Sequence, residues 1–409
     1  MRDTEFYRQI LGLEAPWTVD RVDLDLAGGR VDVYVKHDEG LRWRCPQCDR
    51  ELACRDHSPQ RSWRHLDTCQ FQTIVHGRIP RVDCPEHGVV QVRVPWAENR
   101  SRFTHLFERF AIDVILESAT ILGACRLLGI RWDACWGIME RAVKRGRARK
   151  QDKVVPVVCV DEKAVRKGHD YMTLVCDYAE STVDHVEDGR KAESLTKYFE
   201  GLTPEQLEGI EAISMDMWEP YVQATLAHVP DARSKIVYDR FHIMKQMTHA
   251  VDLVRRAENR ELRALGDDRL SRTRYLWLYA EENLPEKHRA RFADLKHDTL
   301  KVARAWAIKE CLRSLWSYRS EGWARKFFRK WFHWATHSRL VPVRKVAHMI
   351  NARLSNVLTF CRLQLTTSVA EGLNSKITAI KTRACGYRNR EHFKTAIYFF
   401  CGGLDLYPR

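Results

Sequence analysis

Asp161 closes the apolar run Val154-Val155-Pro156-Val157-Val158-Cys159-Val160, and Asp216 closes Ile210-Glu211-Ala212-Ile213-Ser214-Met215. Burying an unpaired carboxylate is costly, so an acid following such a run marks a strand mouth or a cation site. A third acid, Glu371, lies far downstream on a segment with helical spacing. There Val369, Leu373, Ile377 and Ile380 share one face, and Glu371, Asn374, Ser375 and Thr378 fall opposite. Three carboxylates on one pocket would suit hard divalent cations such as Mg²⁺ or Mn²⁺. Two such ions about 4 Å apart serve phosphodiester chemistry: they activate an attacking oxygen, stabilise a leaving oxygen and neutralise charge at phosphorus. Carboxylates gathered for that purpose repel one another when empty. Taken singly, each Asp also fits a strand-end turn, and Glu371 also fits the wet face of an amphipathic helix.

A second set of residues has the spacing of soft-metal ligands. Cys45-Pro46-Gln47-Cys48 and Cys84-Pro85-Glu86-His87 are two knuckles, each able to give two ligands to one tetrahedral zinc ion. Between them Gln70–His76 and Arg81–Asp83 have strand character, the layout of a zinc ribbon. Four protein ligands close the shell, so a structural Zn²⁺ at Cys45, Cys48, Cys84 and His87 is expected, with Cys54, His57, His65 and Cys69 as spare candidates. The chain has 13 cysteines, an odd number, and Cys159 and Cys176 lie inside apolar runs. A disulfide framework is therefore not expected.

The elements that must position these residues follow in order. At 409 residues the chain is long enough for two to four domains. Residues 1–100 carry short alternating runs, turn signals and the Cys/His cluster, and form the expected zinc-binding region. Residues 101–150 turn helical. Phe107, Phe110, Ala111, Val114, Ile115 and Ser118, then Ile121, Ala124, Leu127 and Leu128, follow three-four spacing up to Gly129. A third helix with Asp133 as N-cap would carry Cys135, Ile138, Met139, Ala142 and Val143 inward, completing a helix-turn-helix. The basic run Lys144-Arg145-Gly146-Arg147-Ala148-Arg149-Lys150 is expected as a linker. Residues 151–245 alternate: strands to Asp161, Tyr171–Asp177 and Thr182–Val186, helix Ala192–Phe199, strand Glu211–Met215, helix Tyr221–Ala227, strand Ser234–Tyr238. That order is a mixed α/β sheet. Residues 246–365 are almost wholly helical, broken at Pro285 and Pro342, with Trp306, Trp316, Trp323, Trp331 and Trp334 expected mainly in their core. Residues 366–409 carry the Glu371 helix and resume the sheet domain.

Charge points to the partner. With 68 Lys+Arg against 54 Asp+Glu the net charge is +14, and the pI is about 9.2, which favours a polyanion. No stretch approaches the roughly 20 apolar residues that span a bilayer, so a membrane is not the expected partner, and a cytoplasmic location is expected. The basic side chains that either meet double-stranded DNA or form solvated faces are Arg131, Arg141, Lys144, Arg145 and Arg147 around the third helix and Lys163, Arg166 and Lys167 beyond the first acid. Lys376, Lys381, Arg383 and Arg388 after Glu371 complete the set.

Taken in order, several motifs resemble one family over nearly the whole chain. They are the knuckles with Pro80-Arg81-Val82-Asp83-Cys84; the helix-turn-helix; Val160-Asp161-Glu162-Lys163 with Lys167-Gly168-His169-Asp170-Tyr171; Ser214-Met215-Asp216-Met217-Trp218-Glu219-Pro220-Tyr221; Tyr238-Asp239-Arg240-Phe241-His242; and Ala370-Glu371-Gly372-Leu373-Asn374 before Gly386-Tyr387-Arg388. Jointly they resemble the DDE transposases of bacterial insertion sequences, in the L-three branch. The resemblance implies a ribonuclease-H-like core interrupted by a helical insertion, with Asp161, Asp216 and Glu371 holding two Mg²⁺ ions and Asp239 and His242 supporting them. It implies binding of terminal inverted repeats, hydrolysis at the element end, transfer of the freed 3′-hydroxyl to target DNA, and at least a dimer on paired ends. His87 departs from the pattern, since Cys stands there in many relatives. Glu162 should face away from Asp161 by strand alternation, and Asp177 fits a turn acid. The alternative function is a DNA-binding regulator with a degenerate core.

Overall fold

The computed structural model describes residues 2–150, 153–166, 170–365 and 368–409. Two compact units result: one comprises residues up to 151 with Ile380–Phe400 and Leu404–Arg409, the other Asp152–Ala379 with Cys401–Gly403. Residues 366–409, assigned as one piece from sequence, are thus divided between them.

The first unit opens with helix α1 (Asp3–Ile10) and eight strands: β1 (Trp17–Asp25), β2 (Arg30–His37), β3 (Arg42–Arg44), β4 (Glu51–His57), β5 (Arg61–Arg64), β6 (Gln72–Gly77), β7 (Pro80–Cys84) and β8 (Gly88–Gln91). They form two four-stranded sheets, β1-β2-β6-β5 and β3-β4-β7-β8. Strand alternation sends Val31, Val33 and Val35 inward, where they meet Trp17, Trp43, Trp63 and Trp96 in one core. The indoles pack at angles, Trp17 against Trp96 at 4.9 Å between centroids and Trp63 against Trp96 at 5.5 Å. The strand expected over Gln70–His76 exists as β6 but belongs to the first sheet, not the ribbon. Its partner is β2, because Thr73 and Val75 alternate inward with the valines of that strand.

Three helices follow: α2 (His105–Glu117), α3 (Ile121–Leu128) and α4 (Trp132–Arg149). Thr104 caps α2 by accepting the Phe107 N–H, and Thr120 caps α3 by accepting that of Gly123. Gly129 ends α3 at φ +62°, a left-handed turn that a side chain would strain. Two details differ from the sequence expectation. Asp133 sits in the first turn of α4, with Arg131 at the cap, and the basic run is no linker because α4 continues through it to Arg149. The reason is that the apolar stripe continues: Ala142, Val143 and Gly146 are buried. Gly146 is also required by close packing, since a Cβ there would fall 2.6 Å from Leu404 Cβ.

The second unit is built on strands β9 (Val157–Arg166), β10 (Asp170–Asp177) and β11 (Thr182–Asp188), then helices α5 (Ala192–Glu200) and α6 (Pro204–Glu208), strand β12 (Ala212–Met215), helices α7 (Glu219–His228) and α8 (Ala232–Lys235), and strand β13 (Ile236–Tyr238). Sheet order is β11-β10-β9-β12-β13: the first three strands are antiparallel, the last two join β9 in parallel. This is a ribonuclease-H-like order. The first half of β9 and all of β12 and β13 are buried, and Val158, Val160, Ile213, Met215 and Val237 pack with α5 and α7 residues such as Leu195, Phe199 and Tyr221.

After β13 the chain runs into α9 (Arg240–Ala264), α10 (Arg274–Leu278), α11 (Glu286–Lys296), α12 (Lys301–Arg313), α13 (Glu321–His337), α14 (Val341–Ala352) and α15 (Leu354–Leu363). Pro285 and Pro342 stand at the starts of α11 and α14, where a missing N–H costs nothing. Buried Glu258 of α9 accepts the Lys301 and Val302 amides, closing the open N-terminus of α12. Trp306, Trp316 and Trp331 are buried as expected, whereas Trp323 and Trp334 are exposed. The last helices are α16 (Ser368–Arg383) and α17 (Arg390–Cys401). Among the described residues no helix is long and apolar enough to cross a membrane.

Candidate active site and zinc centre

Parallel pairing of β9 with β12 sets Val158 beside Ile213 and Cys159 beside Ser214. Continuing that register by two residues brings Asp216 level with Asp161. On the other side β12 pairs with β13, and the Asp239 amide donates to Met215 O at 3.0 Å. Asp161, Asp216 and Asp239 therefore stand in one row across three neighbouring strands. Asp161 is not at a strand end, contrary to expectation: β9 runs five residues further, with Asp161 opposite Leu174 of β10. The apolar run could not reveal this, because the extra length is held by hairpin pairing with β10. What opens the space beside Asp161 is the ending of β12 at Met215.

The row is charged and half-buried. Burial, foremost, raises the proton affinity of Asp161, and the charges of Glu162 and Asp239 add to it. Asp161 Oδ1 accepts the Glu162 amide at 2.7 Å and its Oδ2 accepts Asn374 Nδ2 at 2.5 Å. Asp216 Oδ1 accepts the Met217 amide at 2.6 Å. Asp239 caps α9 by accepting the Phe241 amide and accepts a second bond from His242 Nδ1 at 2.8 Å. That bond, with the charges of Asp216, Asp239 and Asp161, raises the His242 pKa.

Glu371 lies exposed on α16. The helix is fastened to the row one turn away: Asn374 meets Asp161, and Lys163 Nζ donates to Asn374 O at 2.8 Å and to Thr378 Oγ1 at 2.5 Å. Among the described residues, the three acids do not form a group with all donor atoms within 4.8 Å of one another; only the cysteine and histidine cluster does. Glu162 turns to Arg190, 3.4 Å away, as strand alternation requires. Asp177 is a turn acid bound by Lys153 and the Ala179 and Glu180 amides. Arg190 was not singled out from sequence, yet its guanidinium lies over both Tyr171 and Trp218. Asn374 was placed on the polar face of α16 but given no partner; its position three residues after Glu371 was the available signal.

The basic residues divide sharply. Arg141 and Arg145 are engaged within the first unit. Glu108, buried in α2, accepts Ser101 Oγ at 3.0 Å and Arg141 Nε at 2.9 Å. Its second oxygen lies 3.6 Å from Arg145 Nη2, and Arg145 also pairs with Glu98 and donates to Leu406 O at 2.8 Å. Arg147 lies over the Tyr398 ring. Lys163 is drawn onto α16. Arg131, Lys144, Arg166, Lys376, Arg383 and Arg388 are exposed, and Lys381 is half-buried. Lys167 lies outside the described residues, with Gly168 and His169.

The knuckles close on each other. Cys45 and Cys48 follow β3, while Cys84 ends β7 and His87 stands just before β8 of the same sheet. Cys48 Sγ is 3.6 Å from Cys84 Sγ, and His87 Nδ1 is 3.4 Å from Cys84 Sγ and 3.8 Å from Cys45 Sγ. A tetrahedron with Zn–S bonds of about 2.3 Å has edges of about 3.8 Å, so these donors fit one zinc ion. Burial raises the Cys84 thiol, but amide hydrogen bonds from Glu86 and His87 outweigh it and bring it to about 6, ready to bind as thiolate. The spare candidates Cys54, His57, His65 and Cys69 lie outside the cluster.

Comparison with known proteins agrees with this arrangement. Residues 158–397 match a family described as transposase, residues 41–87 the zinc-finger of transposase IS204/IS1001/IS1096/IS1165, and residues 92–143 the helix-turn-helix domain of transposase family ISL3. The transposase for insertion sequence element IS1001 of Bordetella parapertussis is 29% identical over 384 residues, 92% of this chain and 93% of that protein. The transposase for insertion sequence element IS1557 of Mycobacterium tuberculosis is 24% identical over 419 residues, covering 95% and 93%. With more than half of its length matched by the first family and both flanking regions matched in the same order, the chain belongs to the transposase family ISL3.

Proposed function

We propose that this chain is a DNA transposase that binds the terminal inverted repeats of its own insertion sequence and cuts and joins DNA at Asp161, Asp216 and Glu371. The observation that carries it is the row of acids on β9, β12 and β13 in a ribonuclease-H-like sheet, with the Glu371 helix fastened to the row through Asn374. The donor set suits a hard cation: carboxylates, and a buried amide oxygen, Asn374 Oδ1, without a hydrogen-bond partner. Asp161, Asp216 and Glu371 would hold Mg²⁺ or Mn²⁺, two ions, which when bound supply charge neutralisation at phosphorus and an acidified attacking water.

The protein's own contribution is position. The Glu162 and Met217 amides hold Asp161 and Asp216 in fixed rotamers. His242, held by Asp239, stands beside the acids, and that bond raises its proton affinity. Lys376, Arg383 and Arg388, exposed after Glu371, and Arg131 and Lys144 around α4, would meet phosphates. In the division of labour proposed, residues 1–100 form the zinc-tied region, 101–150 the repeat-reading helices, 151–245 and 366–409 the catalytic core and 246–365 its insertion. Pairing of two element ends implies at least a dimer on DNA.

Asp216→Asn removes one acid while keeping the Met217 hydrogen bond, so it is expected to retain repeat binding and to lose cleavage. The test is incubation of wild-type and variant protein with repeat-end DNA and Mg²⁺, scoring shifted and cut species separately. Wild-type nicking by the variant would refute the site. A wild-type protein that shifts the repeats and never cuts them would instead favour a DNA-binding regulator.

A further inference from the structure

Asn374 joins the Glu371 helix to the row of acids. Its Nδ2 donates to Asp161 Oδ2 at 2.5 Å, while its Oδ1, fully buried, has no hydrogen-bond partner. Leaving such an acceptor unmet is costly. Its backbone is pinned independently, because Asn374 O accepts Lys163 Nζ and Thr378 Oγ1. The side chain can therefore turn without moving the helix.

We propose that Asn374 is a fourth cation-site residue: its amide nitrogen holds the Asp161 carboxylate in the metal-free site, and its amide oxygen completes the oxygen shell around the ion shared by Asp161 and Glu371. Reversal of the amide exchanges Nδ2 and Oδ1, which occupy nearly equivalent positions. Two oxygens facing each other at that distance without a proton repel, so the reversed state needs a cation between them. Adjacent oxygens around a small divalent ion with bonds of about 2.1 Å lie about 3 Å apart, so the two groups, now 2.5 Å apart, would part by about half an ångström to admit it. The reversed rotamer is thus stable only with a cation in the site, where Oδ1 gains a partner while Nδ2 takes over the buried position.

This inference rests on the proposed cation site, and the experiment separates the two. Mn²⁺ binding to the full chain is titrated by the paramagnetic resonance of free Mn²⁺, with melting temperature recorded alongside, for wild type, Asp161→Asn, Asn374→Ala and Asn374→Asp. Wild type is expected to bind Mn²⁺ that Asp161→Asn does not. Asn374→Ala is expected to weaken that binding by about tenfold or more, the usual effect of removing a supporting contact at a metal site. Asn374→Asp supplies a charged oxygen, so it is expected to bind at least as tightly as wild type and to melt lower without metal, recovering when Mn²⁺ is added. If Asn374→Ala melts lower yet binds Mn²⁺ as wild type does, Asn374 is only a structural clamp and the inference falls. If wild type and Asp161→Asn bind alike, the cation site itself falls.

Discussion

Glu108 offers a direct test of how the helix-turn-helix is held. Its side chain is 1% exposed and lies against Ser101, Arg141 and Arg145. Arg141 and Arg145 are one turn apart on α4, so a single carboxylate of α2 sets the angle of α4 against α2. Glu108→Ala would leave Arg145, whose side chain is 11% exposed, with only part of its countercharge. Removing one partner of a buried ion pair costs about 3–5 kcal/mol. Near 3 kcal/mol, a unit of this size should melt about 6–12 °C lower, taking about 2–4 °C per kcal/mol. Thermal unfolding followed by circular dichroism measures this, with Glu108→Gln expected to lose less because it keeps one hydrogen bond. The companion variant Arg145→Ala should also lower stability while leaving the salt dependence of repeat binding unchanged. A phosphate contact would do the reverse, reducing the logarithmic salt slope by about 0.9 with no loss of stability. A Glu108→Ala protein that melts within 1–2 °C of wild type, roughly the shift of a surface substitution, would refute the clamp.

Two further outcomes are expected. Purified protein should carry one zinc per chain by elemental analysis, and chelation or Cys84→Ala should melt the β3-β4-β7-β8 sheet; a zinc content near zero would remove the ion from the ribbon. Stability should also fall on mild acidification through His65. Thr104 Oγ1 accepts the Phe107 amide and is hydrogen-bonded to His65 Nδ1, and burial, with the Arg64 charge, pushes the imidazole down to about 4. An unfolded His titrates near about 6.5, so below that pH the unfolded chain takes up a proton that the folded chain refuses. The loss begins as pH falls through about 6.5, reaches about 2 kcal/mol at pH 5 and levels off below about 4. Denaturation midpoints for wild type and His65→Gln between pH 7 and 5 test this, since the variant should lack that part of the loss and equal slopes would exclude His65.

Local chemistry explains why much of the fold was readable. The order of strands and helices around Asp161 and Asp216 followed from apolar runs such as Ile213–Met215, whose burial on both faces leaves little alternative. The knuckles were readable because ligand spacing is itself local. Elements held by distant partners were not. The outer half of β9 carries Glu162, Lys163 and Arg166, which announce no strand; β10 makes it one. The run from Lys144 to Lys150 looked like a tether because its partners, Leu404 to Tyr407, lie some 260 residues away. The bond between Asn374 and Asp161 spans 213 residues and has no signature in either segment. Charge alone likewise could not separate Arg145, spent on Glu98 and Glu108, from exposed Lys144.

Helix α9 begins at the acid row and continues without interruption for 25 residues, a rod of about 37 Å. His242 stands in its first turn, while its later turns pack against α10, α12 and α14 in the interior of the inserted bundle. The insertion is therefore not a bead hung on a flexible string at its entry: the chain enters it through an unbroken helix. His242 and the core of the inserted bundle thus share one continuous helix, so a shift of the bundle along that helix would be felt at the imidazole.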